Sequence, residues 1–482
     1  MGFKVIIVGG SISGLSLANM LEKFDIEYVL LEGHSVIAPQ LGASLGLLPS
    51  GLRILDQLGC YEKIKELAGN TYYSASMRLF SGETWVDKEP VTFSEKLEDR
   101  IGYPQMFIDR RTVIQVLYDN LKFKNRVMTD KRVTRVDHHE DHVAVHTKDG
   151  SVYTGDIVIG GDGVHSAVRK EMWRLASEAS PGLFKDDELS GLQSVCKCIF
   201  GISKRPKAVP TGPLQINAFF KNCNYMVLTA PEERLYWFLF TEMDKASGKD
   251  IPRFTKEDER KLAEEHFGDQ ISETMTFEDL YNHGQQTTLV SVEDHVFPRW
   301  HYRRILTVGD AAHKVHPISA QGGNGAMETS AVLVNALRRK LKETSCNAKL
   351  TESDISAIFA EAQEARFGRA MAAVNQGRHT NDASIKETFF SKIFVDYFFP
   401  RYGQWMIFSL IVKNTAGAPT IDDIPVPTRY LEAVARYERN NPSTSTGWKV
   451  WSFVSIGVAL ITGFFYTKFS AVFPQLLTIK SQ

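Results

Sequence analysis

The first 32 residues of this chain constrain its fold more than any other stretch. Phe3-Lys4-Val5-Ile6-Ile7-Val8 is a short apolar run that ends on Gly9-Gly10-Ser11-Ile12-Ser13-Gly14, and apolar residues then recur at helical spacing from Leu15 to Phe24. Glu27-Tyr28-Val29-Leu30-Leu31-Glu32 is a second β-rich run. Strand, glycine turn, helix and strand within about 30 residues make a βαβ unit, which requires a parallel sheet and predicts an α/β fold. In such a turn Gly9 permits the tight bend, and a small residue at Ser11 lets a pyrophosphate approach the helix N-terminus. Gly14 lets helix and strand touch. Ser11 stands at the second glycine position of the G-x-G-x-x-G pattern, and Glu32 is placed to accept hydrogen bonds from an adenosine ribose.

Two later segments repeat this logic. Asp156-Ile157-Val158-Ile159-Gly160 reads as a buried strand running into Gly161-Asp162-Gly163, and Arg304-Ile305-Leu306-Thr307-Val308 leads into Gly309-Asp310-Ala311-Ala312-His313. Pro317 and Gln321-Gly322-Gly323-Asn324-Gly325 follow, opening a helix expected to run to about Lys342, whose N-terminus can face an anionic group. Between them, residues 192–296 are strand-rich and aromatic, as a separate sheet carrying an apolar cavity would be. Thr351-Glu352-Ser353-Asp354 fits a capping box, with a long helix expected to about Gln376.

Composition excludes several alternatives. With 43% hydrophobic and 23% charged residues the 482-residue chain is ordinary globular material, long enough for about three structural units. A formal net charge of −1 removes any global case for nucleic-acid binding. Cys60, Cys196, Cys198, Cys223 and Cys346 are an odd, scattered set that implies reduced thiols rather than a disulfide framework. The histidines at 138, 139, 142 and 146 read as a solvated hairpin, and no metal site is expected. Gly42-Ala43-Ser44-Leu45-Gly46 matches a hydrolase nucleophile elbow but lacks the strand before it and the helix after it.

The fingerprint, DG and GD motifs, in this order over about residues 3–380, resemble those of FAD-dependent monooxygenases of group A, the aromatic-hydroxylase-like type. Gly42-Ala43-Ser44-Leu45-Gly46, Phe107-Ile108-Asp109-Arg110 and Cys198-Ile199-Phe200-Gly201-Ile202-Ser203 are further similar to the fungal paxilline-type epoxidases of indole-diterpene and meroterpenoid pathways. The resemblance implies a Rossmann-like FAD-binding domain built from residues 1–72, 105–185 and 299–380. It implies a β-rich substrate domain from 73–104 and 186–298, then a membrane-proximal helical region and linker at 381–447. Gly9, Gly10, Ser11, Gly14 and Glu32 would hold the dinucleotide, and Gly46 and Arg110 would contact FAD. Asp310, Gly322, Gly323 and Asn324 would hold the ribityl and pyrophosphate region, and Asp162 with Gly163 would link FAD to transient NADPH. A basic residue called catalytic in some relatives corresponds to Lys197, with Phe219 nearest to its aromatic companion. The implied reaction is epoxidation of a prenyl alkene by an oxygen taken from O2 through a flavin hydroperoxide, coupled in its pathway to a terpene cyclase. A dry aromatic cavity is then the main demand on the protein.

Rival readings are an aromatic or quinone-ring hydroxylase of the same superfamily and a non-catalytic prenyl-binding escort. The retained Glu32, Arg110, Asp162 and Asp310 argue against the escort. Residues 450–467 are 18 uncharged, mostly apolar positions flanked by Trp448, Lys449, Trp451, Tyr466 and Lys468, so residues 448–468 are expected to form one membrane span. That places the protein as single-pass, on the endoplasmic reticulum, with its catalytic body facing the cytosol. Residues 389–412 are also apolar and aromatic, but Lys392, Asp396 and Arg401 interrupt them, which suits a surface segment better than a span.

Overall fold

The computed structural model describes residues 2–39, 44–185, 187–207, 209–344, 349–385 and 387–440. Strands Lys4–Val8, Glu27–Leu31 and Ile157–Gly160 form the centre of a six-stranded sheet, with Ile305–Thr307 and His301–Tyr302 beyond Ile157–Gly160 and Val127–Met128 beyond Glu27–Leu31. The pairings are parallel except for the short His301–Tyr302 edge. The central strands are buried on both faces, which is why they read as unbroken apolar runs. Val133–His138, Val143–Thr147 and Val152–Gly155 make a three-stranded antiparallel meander.

The second large sheet has eight strands. Gly284–Val296, Gln193–Lys204, Arg234–Ser247, Cys223–Ala230 and Leu214–Phe220 pair in that order, with Ser74–Arg78 and Thr84–Val86 added at one edge and His313–Lys314 at the other. Chain from residues 74–86 and from 193–296 thus meets in one sheet, although the first part lies more than a hundred residues upstream. Strand alternation gives this sheet two dissimilar faces. Ile199, Val227, Trp237 and Leu239 point to the side covered by helices Lys256–His266 and Phe277–Asn282. Cys198, Phe200, Tyr236, Phe238 and Phe240 point the other way and cluster with Phe107, Ile318 and Ile385. Gly201 has a steric reason, because a Cβ there would run into the Trp237 indole.

Helices Gly322–Glu343 and Glu352–Ile385 lie together beside the six-stranded sheet. The second begins with the expected cap, Thr351 N–H donating to Asp354 (2.9 Å) and Asp354 N–H to the Thr351 hydroxyl (3.1 Å). It runs nine residues past the expected end at Gln376. The chain to Leu431 is one compact unit, so residues 387–431 belong to the body rather than to a linker. A second unit begins at Glu432, and its described part, to Asn440, is the end of the helix Thr428–Asn440. Among the described residues no helix is long and apolar enough to cross a membrane, and the expected span at 448–468 lies outside them.

Candidate functional site

The glycine turn closes as its sequence demands. Gly9 has φ +104°, and a Cβ there would stand 2.5 Å from the Gly161 carbonyl oxygen, so the fingerprint turn and the DG turn touch. A Cβ on Gly14 would collide with the Gly9 carbonyl. Glu32 reaches back from the second strand, and its carboxylate accepts the Gly10 N–H (2.6 Å) and the His34 N–H (2.8 Å). Ser11 begins the helix Ile12–Glu22 without capping it, and its hydroxyl accepts instead from the Arg110 guanidinium (2.7 Å). Ser11, at the position where the fingerprint has glycine, thus has a partner that a glycine could not supply.

Asp310 follows strand Ile305–Thr307 and pairs with Lys314 (2.6 Å). Burial pushes its carboxyl up, but the Lys314 ammonium beside it outweighs burial and holds the group below the usual carboxylate range. A Cβ on Gly322 would lie 3.9 Å from an Asp310 carboxylate oxygen, with nothing nearer, so the acid stands over a bare helix N-terminus. Gly163, at φ +82°, likewise faces open space. Gly163 and Gly322 therefore leave space free of side chains, whereas a Cβ on Gly10 would strike Ile37 (2.9 Å) and Glu32 (3.0 Å); with Glu32, Arg110 and Asp310 around these turns, the residues present fit a dinucleotide.

Other expected residues have structural partners. Asp162 accepts from the Ser166 hydroxyl (2.5 Å) and from the Ala167 and Val168 N–H groups (2.7 and 3.1 Å), capping the helix Ala167–Ala179. Burial nonetheless raises its carboxyl above the ordinary value. Asn324 spends its whole amide on the chain: it donates to the carbonyls of Gly46 (3.0 Å) and Ala320 (2.6 Å) and accepts the Leu48 N–H (3.1 Å). It ties Gly46 to the helix opened by Gly322 and Gly323, and a Cβ on Gly323 would press on Leu45 (3.0 Å).

Lys197 requires a correction. It shares its strand face with Ile199, on the helix-covered side of the eight-stranded sheet, and its amine lies 5.8 Å from the Phe254 ring. The alternation that sends Cys196 and Cys198 to the aromatic cluster sends Lys197 away from it. Phe219 also lies elsewhere, packed with Met77, Leu79 and Val395. Ser44 begins a strand paired with Met106–Asp109, not a strand-to-helix elbow.

Sequence reasoning missed two features. Arg169, fully buried, donates to the carbonyls of Val164 (2.5 Å) and Ala311 (2.7 Å) and covers the Phe297 ring at 4.1 Å, so one side chain bolts the DG turn to the GD turn. Burial lowers it to about 10, which leaves it charged at neutral pH. The second feature is a set of buried polar side chains beside the aromatic cluster, Tyr236, His316 and Asn381: Tyr236 faces the Asp109 carboxylate, and His316 faces the Asn381 amide. The Ile318 N–H donates to His316 Nδ1 (3.2 Å), which puts the ring proton on Nε2. Burial, reinforced by Lys314, lowers this histidine to about 3, so it is neutral and offers a buried N–H donor. A histidine beside Pro317 carried no signal of this in sequence.

Among the described residues, Cys223, His266 and Asp269 alone could gather around a metal ion. They lie on the sheet face away from the aromatic cluster, and Asp269 is already shared by His266 (2.8 Å) and the Tyr225 hydroxyl (2.6 Å). The described cysteines, Cys60, Cys196, Cys198 and Cys223, are free and buried.

Residues 2–357 match the model of a family described as FAD binding domain. The chain is 38% identical to the FAD-dependent monooxygenase spyC of Aspergillus fumigatus, over 89% of each protein. It is 35% identical to olcE of Penicillium canescens (89% of this chain, 90% of that one) and 34% to ausM of Penicillium brasilianum (92% and 91%), both also named FAD-dependent monooxygenases. The chain belongs to this FAD-binding family, among its fungal FAD-dependent monooxygenases. Klebsiella pneumoniae HpxO, solved with FAD and uric acid, shares the fold at TM-score 0.66 and 22% identity, covering 86% of this chain and 97% of that one. The tetracycline destructase Tet(51) does so at TM-score 0.61 and 16% identity, over 89% and 100%.

Proposed function

We propose that this FAD-dependent monooxygenase epoxidises an alkene of a prenylated meroterpenoid or indole-diterpene intermediate. The observation that carries the reading is the aromatic cluster on one face of the eight-stranded sheet: Phe107, Phe200, Phe238 and Phe240 pack there with Ile318, which lies in the loop that leads from Asp310 to Gly322. When bound, FAD supplies the redox chemistry, in which NADPH and O2 deliver one oxygen atom to the alkene and release the other as water. The chain's own residues do the rest. Glu32, Arg110 and Asp310 hold the cofactor where Gly163 and Gly322 leave it room, and Gly9, Gly10, Ser11, Gly14, Gly46 and Gly323 let the turns around it close. Asp162 and Asn324 fix the turns that bear it.

Tyr236 and His316 orient the substrate. Their hydroxyl and N–H are the buried donors able to grip an oxygen on an otherwise apolar molecule, and so choose which double bond is presented. Excluding water is the remaining task, and the aromatic wall performs it. In this reading residues 448–468 anchor the protein in the endoplasmic reticulum membrane, where a prenylated substrate dissolves. A terpene cyclase would consume the epoxide.

The test is an anaerobic absorption spectrum with NADPH, then O2 with a prenylated phenol or indole, and mass analysis of the product. Bleaching followed by a product one oxygen heavier, with the oxygen on the prenyl chain, is expected. Oxygen on the ring would replace the epoxidase by a ring hydroxylase, and a protein that takes up no FAD would restore the escort reading.

A further inference from the structure

Sixteen large apolar side chains stand exposed among the described residues, and seven of them fall within the nineteen positions 389–407. Phe389 (74% exposed), Ile393, Tyr397 (64%), Tyr402, Trp405 and Ile407 make one concentration where scattered single residues are the norm. The segment is not loose chain. Phe389–Ile393, the π-helical turns Phe394–Gly403 with Pro400 inside them, and Gln404–Ala416 follow one another without a break. Their inner side is clamped: Val395 and Phe399 pack with Met77, Leu79 and Phe219, and Phe408 and Ile411 with Leu97 and Ile101.

The charges of this segment are sorted. Asp396, its only acid, is turned inward and accepts the Phe80 N–H (2.8 Å). Lys392, Arg401 and Lys413 all stand outside, and Glu387, just before the segment, answers only Lys392 (3.4 Å). Outward aromatic rings and cations, with the acid withdrawn, are the composition of a surface that lies in a headgroup layer. A face built for a second protein has no reason to hide its acid, whereas an anionic lipid surface repels one.

We propose that residues 389–407 form a docking face by which the folded body lies on an anionic bilayer surface. Every residue this face uses precedes Leu431 and belongs to the body. The face also has a bearing on supply. Ile385 packs in the aromatic cluster and Phe389 begins the exposed face four residues later, so docking brings that cluster's end of the body toward the layer in which a prenylated substrate is dissolved.

The test uses the full-length, flavin-loaded protein with an environment-sensitive fluorophore on Tyr397→Cys, against the unsubstituted protein labelled in the same way. Vesicles of phosphatidylcholine with phosphatidylserine should shift the emission to the blue, and brominated lipid should quench it. Phosphatidylcholine alone should give a shift several-fold smaller, and Arg401→Glu with Lys392→Glu should abolish the preference for anionic lipid. A label that stays in water while the protein floats with vesicles overturns the docking face and leaves the C-terminal anchor standing. A protein that docks through residue 397 after removal of residues 448–482 separates the two in the other direction. A blue shift without lipid also overturns the proposal: if it grows with protein concentration a second copy covers the face, and if it vanishes on that truncation the chain's own tail does.

Discussion

At Glu32 one carboxylate accepts two backbone N–H groups in the free protein, and in the proposed function it would also receive ribose hydroxyls. Replacing it by alanine removes charge-assisted bonds worth about 1.5–3 kcal/mol each. FAD retention should fall by ten-fold or more in a flavin fluorescence titration, and the unfolding temperature should drop as well, because the Gly10 and His34 N–H groups lose their acceptor. His316→Phe tests the other side of the site. The Nε2–H faces the Asn381 amide across a short gap, so the variant should lose at most about 1 kcal/mol in urea unfolding. Its KM for an oxygen-bearing prenyl substrate should rise while NADPH still bleaches the flavin. A variant unchanged in KM would remove His316 from substrate binding.

The helix Gly322–Glu343 owes its position to an ion-pair network that no motif announced. Glu328, fully buried, is met by Arg366 (2.5 Å) and Arg369 (3.1 Å) from the helix Glu352–Ile385, and Arg366 also reaches Thr329 (3.2 Å) and the Gly325 carbonyl (3.3 Å). The Glu328 carboxyl would rise on burial, but the two guanidiniums bring it below its ordinary value. Breaking such a pair strands a buried charge, so Arg366→Met should cost about 3–5 kcal/mol. Adding Glu328→Gln should recover most of that loss, which thermal unfolding of the single and double variants checks. The helix ends at the first turn explain the rest of the element's legibility. Glycines at 322 and 323 and the Thr351 cap are local signals, readable in order along the chain. The partner across the gap, Arg366 for Glu328 or Asn324 for Gly46, is fixed only when two distant helices meet.

At the scale of the whole molecule, several histidines are held neutral by burial. His301 and His313 are lowered to about 4 and His316 to about 3, burial leading in each case. Between about pH 6.5 and 4 the unfolded chain binds protons at these positions and the folded chain does not. Stability should therefore fall as pH drops through that window, by up to about 1.4 kcal/mol per pH unit for each histidine. Urea midpoints measured at several pH values would show it, with a shallower slope for His316→Phe.

The parallel sheet, the glycine turn at residues 9–14 and the strand-end positions of Glu32 and Asp310 were legible in the sequence because each depends on neighbours a few residues away: a period of two or 3.6, a turn that only glycine enters, an acid at a strand end. The face to which Lys197 points, the bolt formed by Arg169 and the buried polar side chains beside the aromatic cluster were not. Strand parity cannot say which face meets the cofactor until the eight-stranded sheet has been laid against the rest. Nor could composition show that residues 387–431 belong to the body, because the aromatic run that clamps Met77 and Leu79 with one side leaves the other exposed. Local sequence set the elements and the turn chemistry, since those energies are paid within a few residues. Tertiary structure alone decided which side chains lost water together, and with that the aromatic cluster, its polar neighbours and the outward face.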